Sequence, residues 1–451
     1  MTGSSARQAG TELGHAAREI APRHALGEWD AGARTRTALE VLFGQHAERD
    51  PDLLPIRYGR MSASPWTYLR GAAAVMAADL ALRPHSGLLV QLCGDAHVLN
   101  FGLWATPERN LAFDLRDFDE TLPGPFEWDV QRLAASLVVC ARENELDDAA
   151  AQQAVDSALW SYRQHIRDYA DMSELDVWYD RIDADTPLAT LAPHDAEEMR
   201  AHIAKEAEKR TSAGAFHKLT EVRDGRRRII DKPPFRVHLD GPRLRDQAEV
   251  AREVFETYSA SVPEHLNRLL ERFTLTDVVR QVVGVGSVGM RVFLVLAEGR
   301  SGQAPLFLQI KQAGSSAYEP HLAPSAQDNH GHRVVLGQHL MQSATDLFTG
   351  WTRLRGLDFY VRQFRDMKVI PDGHRIAPYL TEFAASCAHA LAKAHARSGD
   401  PVAIAAYIGK GHAFVDGVGT FALAYADQTR ADHADLLTAI DDGRVQTAPG
   451  W

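Results

Sequence analysis

Cysteine is scarce: Cys93, Cys140 and Cys387 are the only three in 451 residues, and no two of them stand at CxxC spacing. An odd count without that spacing argues against a disulfide framework or a zinc knuckle and fits a reducing cytoplasm. Long apolar runs are missing too. No stretch reaches the roughly 18 uninterrupted apolar residues of a membrane span, and the opening MTGSSARQAGTELGHAAREI has no apolar core of signal-peptide length. Neither export nor membrane insertion is expected. Positive charge also falls short, with 49 basic against 60 acidic residues and a net charge of -11. Such a chain repels phosphate backbones unless its basic groups cluster on one face, so nucleic acid is not the expected partner. Lysine is the rarest charged residue, eight against 41 arginines, with none in the first 200 positions. Chemistry that needs a compact ammonium must draw it from beyond residue 200.

What is present is a globular composition, 45% hydrophobic and 24% charged, over a length suited to two or three domains. Residues 1–55 read as a loose polar arm with a short helix near 34–45, and residues 56–205 as a helical region. Residues 206–370 read as β-rich, and 371–451 as helices completing the helical part. Ser64 and Pro65 form an N-cap and first-turn proline ahead of Trp66, Leu69, Val75, Met76 and Leu80 at helical spacing. The apolar run 87–92 predicts a strand feeding a loop, and LAFDLRDFD over 111–119 alternates as a strand does. Helices are expected over 128–144, 148–169, 243–258, 264–272 and 332–343. Asp224-Gly225 marks a hairpin within 217–231. Residues 277–313 read as three strands separated by glycine turns, 358–364 as one more strand, and the chain as helical from about 380. The fold class is α+β with a segregated sheet.

Chemistry concentrates in two places. Asp95, His97 and Asn100 share one loop, and Asp114, Asp117, Asp119 and Glu120 follow on and after the next strand. Carboxylates packed so closely repel unless a cation or shared protons offset them, and oxygen ligands suit magnesium or manganese. Asp95 and Asn100 are five apart, and Asp117 stands in an Asp-Phe pair further on. That is the spacing of phosphoryl transfer in kinases: an aspartate to orient the acceptor hydroxyl, then an asparagine and a second aspartate for metal. The second place is GVGSVGM, where Gly284, Gly286, Ser287 and Gly289 join two strands and can bring backbone N–H groups against phosphate. Lys311 follows in LFLQIKQ, where a kinase-like sheet carries its phosphate-clamping lysine.

CGDAHVLNFG resembles the HGDxHxxN loop of aminoglycoside and choline kinases, with Cys93 in place of the histidine. The resemblance implies a two-lobed protein-kinase-like fold, circularly permuted, because the catalytic loop here precedes the glycine turn. It gives Asp129, flanked by Trp128 and Arg132, the role of holding the catalytic loop. It makes 383–395 resemble the helix that normally leads into the catalytic loop, and asks for an acidic partner of Lys311, for which Glu319 is the nearest candidate. Together, RYGRMSASPWTYLRG, QLCGDAHVLNFG, FDLRDFDET, EWDVQRLAAS, VVGVGSVGMR, YVRQFRDMK and YADQ resemble the uncharacterised bacterial family termed domain of unknown function 2252, over about residues 20–440.

The expected activity is phosphoryl transfer from ATP, with magnesium (Mg2+) or manganese (Mn2+), to a hydroxyl on a small molecule or protein. Asp95 and Lys311 would be catalytic. Gly284, Gly286, Ser287, Gly289 and Lys311 would bind nucleotide, and Asn100 and Asp117, with Asp114 or Asp119 as auxiliaries, would bind metal. His97 reads as a loop brace, Cys93 as a buried apolar residue, and one of Arg57, Arg60 and Arg70 as a contact to phosphate or an anionic substrate. The alternatives are a metal-dependent phosphoesterase and a non-catalytic nucleotide-binding pseudokinase module.

Overall fold

Alternating side chains build the central sheet, as seen in a computed structural model that describes residues 3–238, 242–300, 305–364, 367–369 and 372–448. In the strand Val292–Gly299, Phe293, Val295 and Ala297 are buried with Val254 and Tyr258, from the helix Pro242–Thr257 and the turn after it. Leu294 and Leu296 face the other way and join Leu219, Ile229 and Phe307. The sheet has six antiparallel strands in the order Gly350–Leu354, Leu357–Gln363, Pro305–Ala313, Val292–Gly299, Phe273–Gln281 and Arg236–His238. The strand Pro305–Ala313 is buried along its whole length. Leu306, Leu308 and Ile310 lie in the first apolar cluster, so Phe307, Gln309 and Lys311 share the opposite face. Lys311 stands in register with Tyr360.

The rest is mostly helical. Phe126–Glu143, Asp148–Ala170, Leu380–Ser398, Pro401–Ile408 and Ala413–Asp441 surround one large core together with the segment from Leu88 to Leu122. The architecture is mixed α+β with a six-stranded sheet. No helix among the described residues is long and apolar enough to cross a membrane.

Several elements differ from the sequence reading. The loose arm is in fact a helix, Gly3–Ile20, packed on Pro401–Ile408. Its contact face uses alanine and glycine, which carry little periodic signal. A Cβ at Gly14 would fall 2.2 Å from the Ala403 carbonyl oxygen, so close approach replaces large apolar side chains. Arg18 Nε donates to the Tyr407 carbonyl at 3.0 Å, and the Tyr407 hydroxyl to that of Ala21 at 2.8 Å. The helix expected after Ser64 breaks at Ala72 (φ -116°, ψ 32°) into Pro65–Gly71 and Ala73–Leu80. The Asp224-Gly225 hairpin forms, with φ of 53° and 72° at the two turn residues. The three strands within 277–313 form as well, while residues 301–304 of the last turn lie outside the described residues. So do Arg365 and Asp366 of the YVRQFRDMK segment.

The strand Leu111–Leu115 pairs with Phe101–Ala105. Asp114 on this strand points into the helical core. Its carboxylate pairs with Lys393 of Leu380–Ser398 and also accepts from Ser343 N at 3.2 Å and Oγ at 3.3 Å. Both charged side chains are essentially inaccessible, at 1% and 0% exposed. Removing one partner strands the other charge, whereas removing both does not. Lys393→Met is therefore expected to lower unfolding free energy by about 3–5 kcal/mol. The double variant Asp114→Leu/Lys393→Met should recover much of that loss in urea titrations, and additive losses would contradict the pairing.

Candidate functional site

The strand Leu89–Leu92 delivers the chain to a tight loop at Cys93. Gly94 has φ 84°, and a Cβ there would lie 2.4 Å from the Glu120 carbonyl oxygen, so this position requires glycine on both counts. Asp129, in the first turn of Phe126–Glu143, accepts the backbone N–H of Cys93 at 2.6 Å and of Gly94 at 3.0 Å. His395 contacts the same carboxylate at 3.4 Å and is itself hydrogen-bonded to the Tyr162 hydroxyl at 2.7 Å. Arg132 donates from Nε at 3.0 Å and Nη2 at 2.7 Å to Asp95 Oδ1. The other oxygen, Oδ2, makes no hydrogen bond among the described residues and lies 3.8 Å from His97 Nε2. Burial raises the Asp95 carboxyl pKa, helped by repulsion from Asp117 and opposed by Arg132 and Arg70. His97 is driven well below its ordinary value by burial and by Arg70, Arg132 and Arg116, so it is neutral and sits edge-on to Trp66. Cys93 is fully buried and its thiol is pushed up by burial, which leaves it inert.

Asn100 donates its amide N–H to the Asp95 carbonyl at 2.6 Å, leaving its side-chain oxygen without a hydrogen bond among the described residues. Asp117 Oδ1 is buried with no hydrogen-bond partner. Burial alone would raise the Asp117 pKa, but Lys311, Arg362, Arg116 and Lys368 hold it below the ordinary value. A buried, ionised oxygen surrounded by cations and bonded to none of them is a fitting metal ligand. Among the described residues no three His, Cys, Asp or Glu side chains come together to hold a metal ion. A magnesium held by Asn100 and Asp117 would thus complete its shell with oxygens from phosphate or water, its usual habit.

Asp119 has a different task. Its Oδ2 pairs with the ammonium of Lys311 and accepts from Ser287 Oγ at 3.2 Å, while Oδ1 accepts from the Tyr360 hydroxyl at 2.6 Å. The carboxylate is engaged on both sides by protein. Burial opposes the charge of Lys311, but Asp119, Tyr360 and Asp117 outweigh it and hold the ammonium above its ordinary value. Glu319, the expected partner of Lys311, instead lies 3.7 Å from both Arg333 and His330.

The glycine turn reaches the same cleft. Gly284, Gly286 and Ser287 line it together with Asp95, Asn100, Asp117, Asp119 and Glu120. Gly284 has φ 63°, and the N–H groups of Gly284, Gly286 and Ser287 make no hydrogen bond among the described residues. The turn is held from behind by its carbonyls: Arg49 donates to those of Gly286 at 2.8 Å and Val288 at 2.6 Å, and Arg60 to that of Gly284. Gly289 does not line the cleft; a Cβ there would lie 2.8 Å from that of Arg49. Of the three arginines singled out in the sequence, Arg57 is buried against Gln45 and the Gly71 carbonyl, Arg60 braces the turn, and Arg70 reaches the cleft. Asp114 does not, being sealed against Lys393. Arg49, Tyr360 and Arg116 carry no local signal of these roles because their partners lie outside their own segments of sequence.

The chain belongs to the family described as "Uncharacterized protein conserved in bacteria (DUF2252)", which matches residues 49–439. No curated protein and no solved structure matches it.

Glu120 generates a test of the site's electrostatics. Its Oε2 accepts the Ala317 N–H at 2.6 Å, yet burial pushes its pKa from 4.5 up to about 6. Between those values the folded protein keeps a proton that the unfolded chain has lost, so this group's contribution to stability falls as pH rises from 4.5 to 6. Glu120→Gln is therefore expected to gain Tm relative to wild type across that window. A Tm difference that stays constant from pH 4.5 to 7 would contradict the shift.

Proposed function

We propose that this protein is an ATP- and magnesium-dependent phosphotransferase acting on a hydroxyl acceptor. The observation that carries the reading is a single cleft lined both by Asp95, Asn100 and Asp117 and by the glycine turn, with Lys311 tied to it through Asp119. Asp95 would take the proton of the acceptor hydroxyl at Oδ2, with Arg132 fixing the carboxylate in place. Asn100 and Asp117 would hold the metal, whose contribution when bound is to neutralise phosphate charge. The free N–H groups of Gly284, Gly286 and Ser287 suit phosphate oxygens, and Lys311 supplies positive charge from the sheet. Asp119 anchors Lys311 and is left out of the metal set.

The finer reading is a kinase-like arrangement whose chain order is permuted. In support, the helix Leu380–Ser398 packs beside the loop carrying Asp95, with Cys387 Sγ 4.0 Å from the Val98 carbonyl and His395 touching the brace Asp129. A conventional kinase has the corresponding helix just ahead of its catalytic loop in sequence. A metal-dependent phosphoesterase would leave the glycine turn and Lys311 without a role.

Asp95→Asn is expected to lose about 100-fold or more in turnover while keeping nucleotide affinity, the usual size of a positioning and acid–base effect. Asp117→Ala should also lose the magnesium dependence of nucleotide binding. ADP release and calorimetric titration check both, and unchanged turnover in Asp95→Asn would defeat the assignment. A pseudokinase would bind nucleotide but show no ADP release in the wild type. Stoichiometric zinc or iron in the purified protein would favour the phosphoesterase.

A further inference from the structure

A second cavity, of about 450 Å³, opens beside the cleft and shares Arg70 and Arg116 with it. Its walls include Trp66, Leu99, Arg210 and His374. The Arg70 guanidinium lies over the Trp66 ring, 5.7 Å from its centroid, and makes no hydrogen bond or ion pair among the described residues. Its Nε is buried and unpartnered. The Arg116 guanidinium makes one hydrogen bond among the described residues, Nε to the Leu99 carbonyl at 2.9 Å, and no ion pair among them. Arg210 adds a third guanidinium to the walls, 3.9 Å from Glu206. The two carboxylates on its walls accept hydrogen bonds within the protein, Glu143 from Ser64 Oγ at 2.8 Å and Asp372 from the His374 N–H at 3.0 Å.

A guanidinium withdrawn from water with at most one hydrogen bond is unfavourable, and two such groups at one cavity suit a bound anion. Arginine is also the residue whose fork matches phosphate and carboxylate oxygens in a bidentate manner. Resting on the phosphotransferase reading of the adjoining cleft, we propose that the acceptor is a small anionic hydroxyl compound whose phosphate or carboxylate group is held by Arg70 and Arg116. The cavity has the volume of a metabolite site. Because both arginines line the cleft that holds Asp95, an anion bound there keeps its hydroxyl end within the same enclosure. Cationic acceptors such as aminoglycosides are disfavoured by the same charges.

The test uses the full chain saturated with magnesium and a non-hydrolysable ATP analogue, so that the nucleotide side of the cleft is filled. Inorganic phosphate and, in a parallel arm, D-glycerate are then titrated calorimetrically. One or both should bind the wild type, identifying the preferred anion. Arg70→Gln should weaken that binding at least tenfold, and Arg70→Lys should restore part of it, with analogue affinity held within about threefold and Tm monitored for each variant. Glycerol 3-phosphate or D-glycerate should stimulate ADP release more than glycerol or kanamycin does. Absence of binding by either anion, or binding unchanged in Arg70→Gln, overturns the anionic site. Should the ATP analogue fail to bind while phosphate still binds in an Arg70-dependent way, the phosphotransferase reading and the acceptor role fall, and the anion site stands.

Discussion

The ion pair between Lys311 and Asp119 joins two parts of the chain 192 residues apart, and the geometry of the cleft depends on it. Lys311 is only 2% exposed on a strand buried along its length. A lone ammonium at such a position would be strongly unfavourable, so the sheet is stable only with a carboxylate docked against it. Asp119 supplies that carboxylate. Tyr360, the cross-strand neighbour of Lys311, takes its second oxygen, and Ser287 of the glycine turn binds the same oxygen as the lysine. One carboxylate thereby fixes the acidic loop, two sheet strands and the turn relative to each other.

That arrangement decides how the remaining acidic groups are used. Five carboxylates line the cleft, four of them within residues 95–120, and like charges so close would repel unless each met a different counterpart. Asp95 is held by Arg132, Asp119 by Lys311, and Glu120 by a backbone N–H. Asp117 has cations around it but no hydrogen bond to its buried Oδ1. The asymmetry separates roles that the sequence leaves mixed. Asp119 and Asp114 are partners of lysines, whereas the buried Oδ1 of Asp117 is left without a hydrogen bond among the described residues.

Much of the fold is legible because it rests on local rules. The positive-φ pair at Asp224 and Gly225, the alternation along Val292–Gly299 and the capped helix after Ser64 all express preferences within a few residues. The brace role of Asp129 was implied by the resemblance to kinase-like loops, and the turn at Gly284 was readable from its glycines. Interactions distant in sequence were not. Asp114 looks like any other aspartate on an acidic strand until Lys393, 279 residues away, is seen against it. Arg49 sits in a polar stretch with weak periodicity, and its role lies in carbonyls more than 230 residues later. The helix Gly3–Ile20 escaped because alanine and glycine pack by closeness rather than by bulk.

The central claim is that the acidic loop and the glycine turn form one nucleotide–metal site, and a crystal structure grown with manganese and a non-hydrolysable ATP analogue tests it most directly. The account predicts an anomalous manganese peak at coordinating distance from Asn100 and Asp117, with the phosphates lying along Gly284, Gly286 and Ser287. Manganese or nucleotide bound elsewhere on the protein at saturating concentration, with this cleft empty, would contradict it.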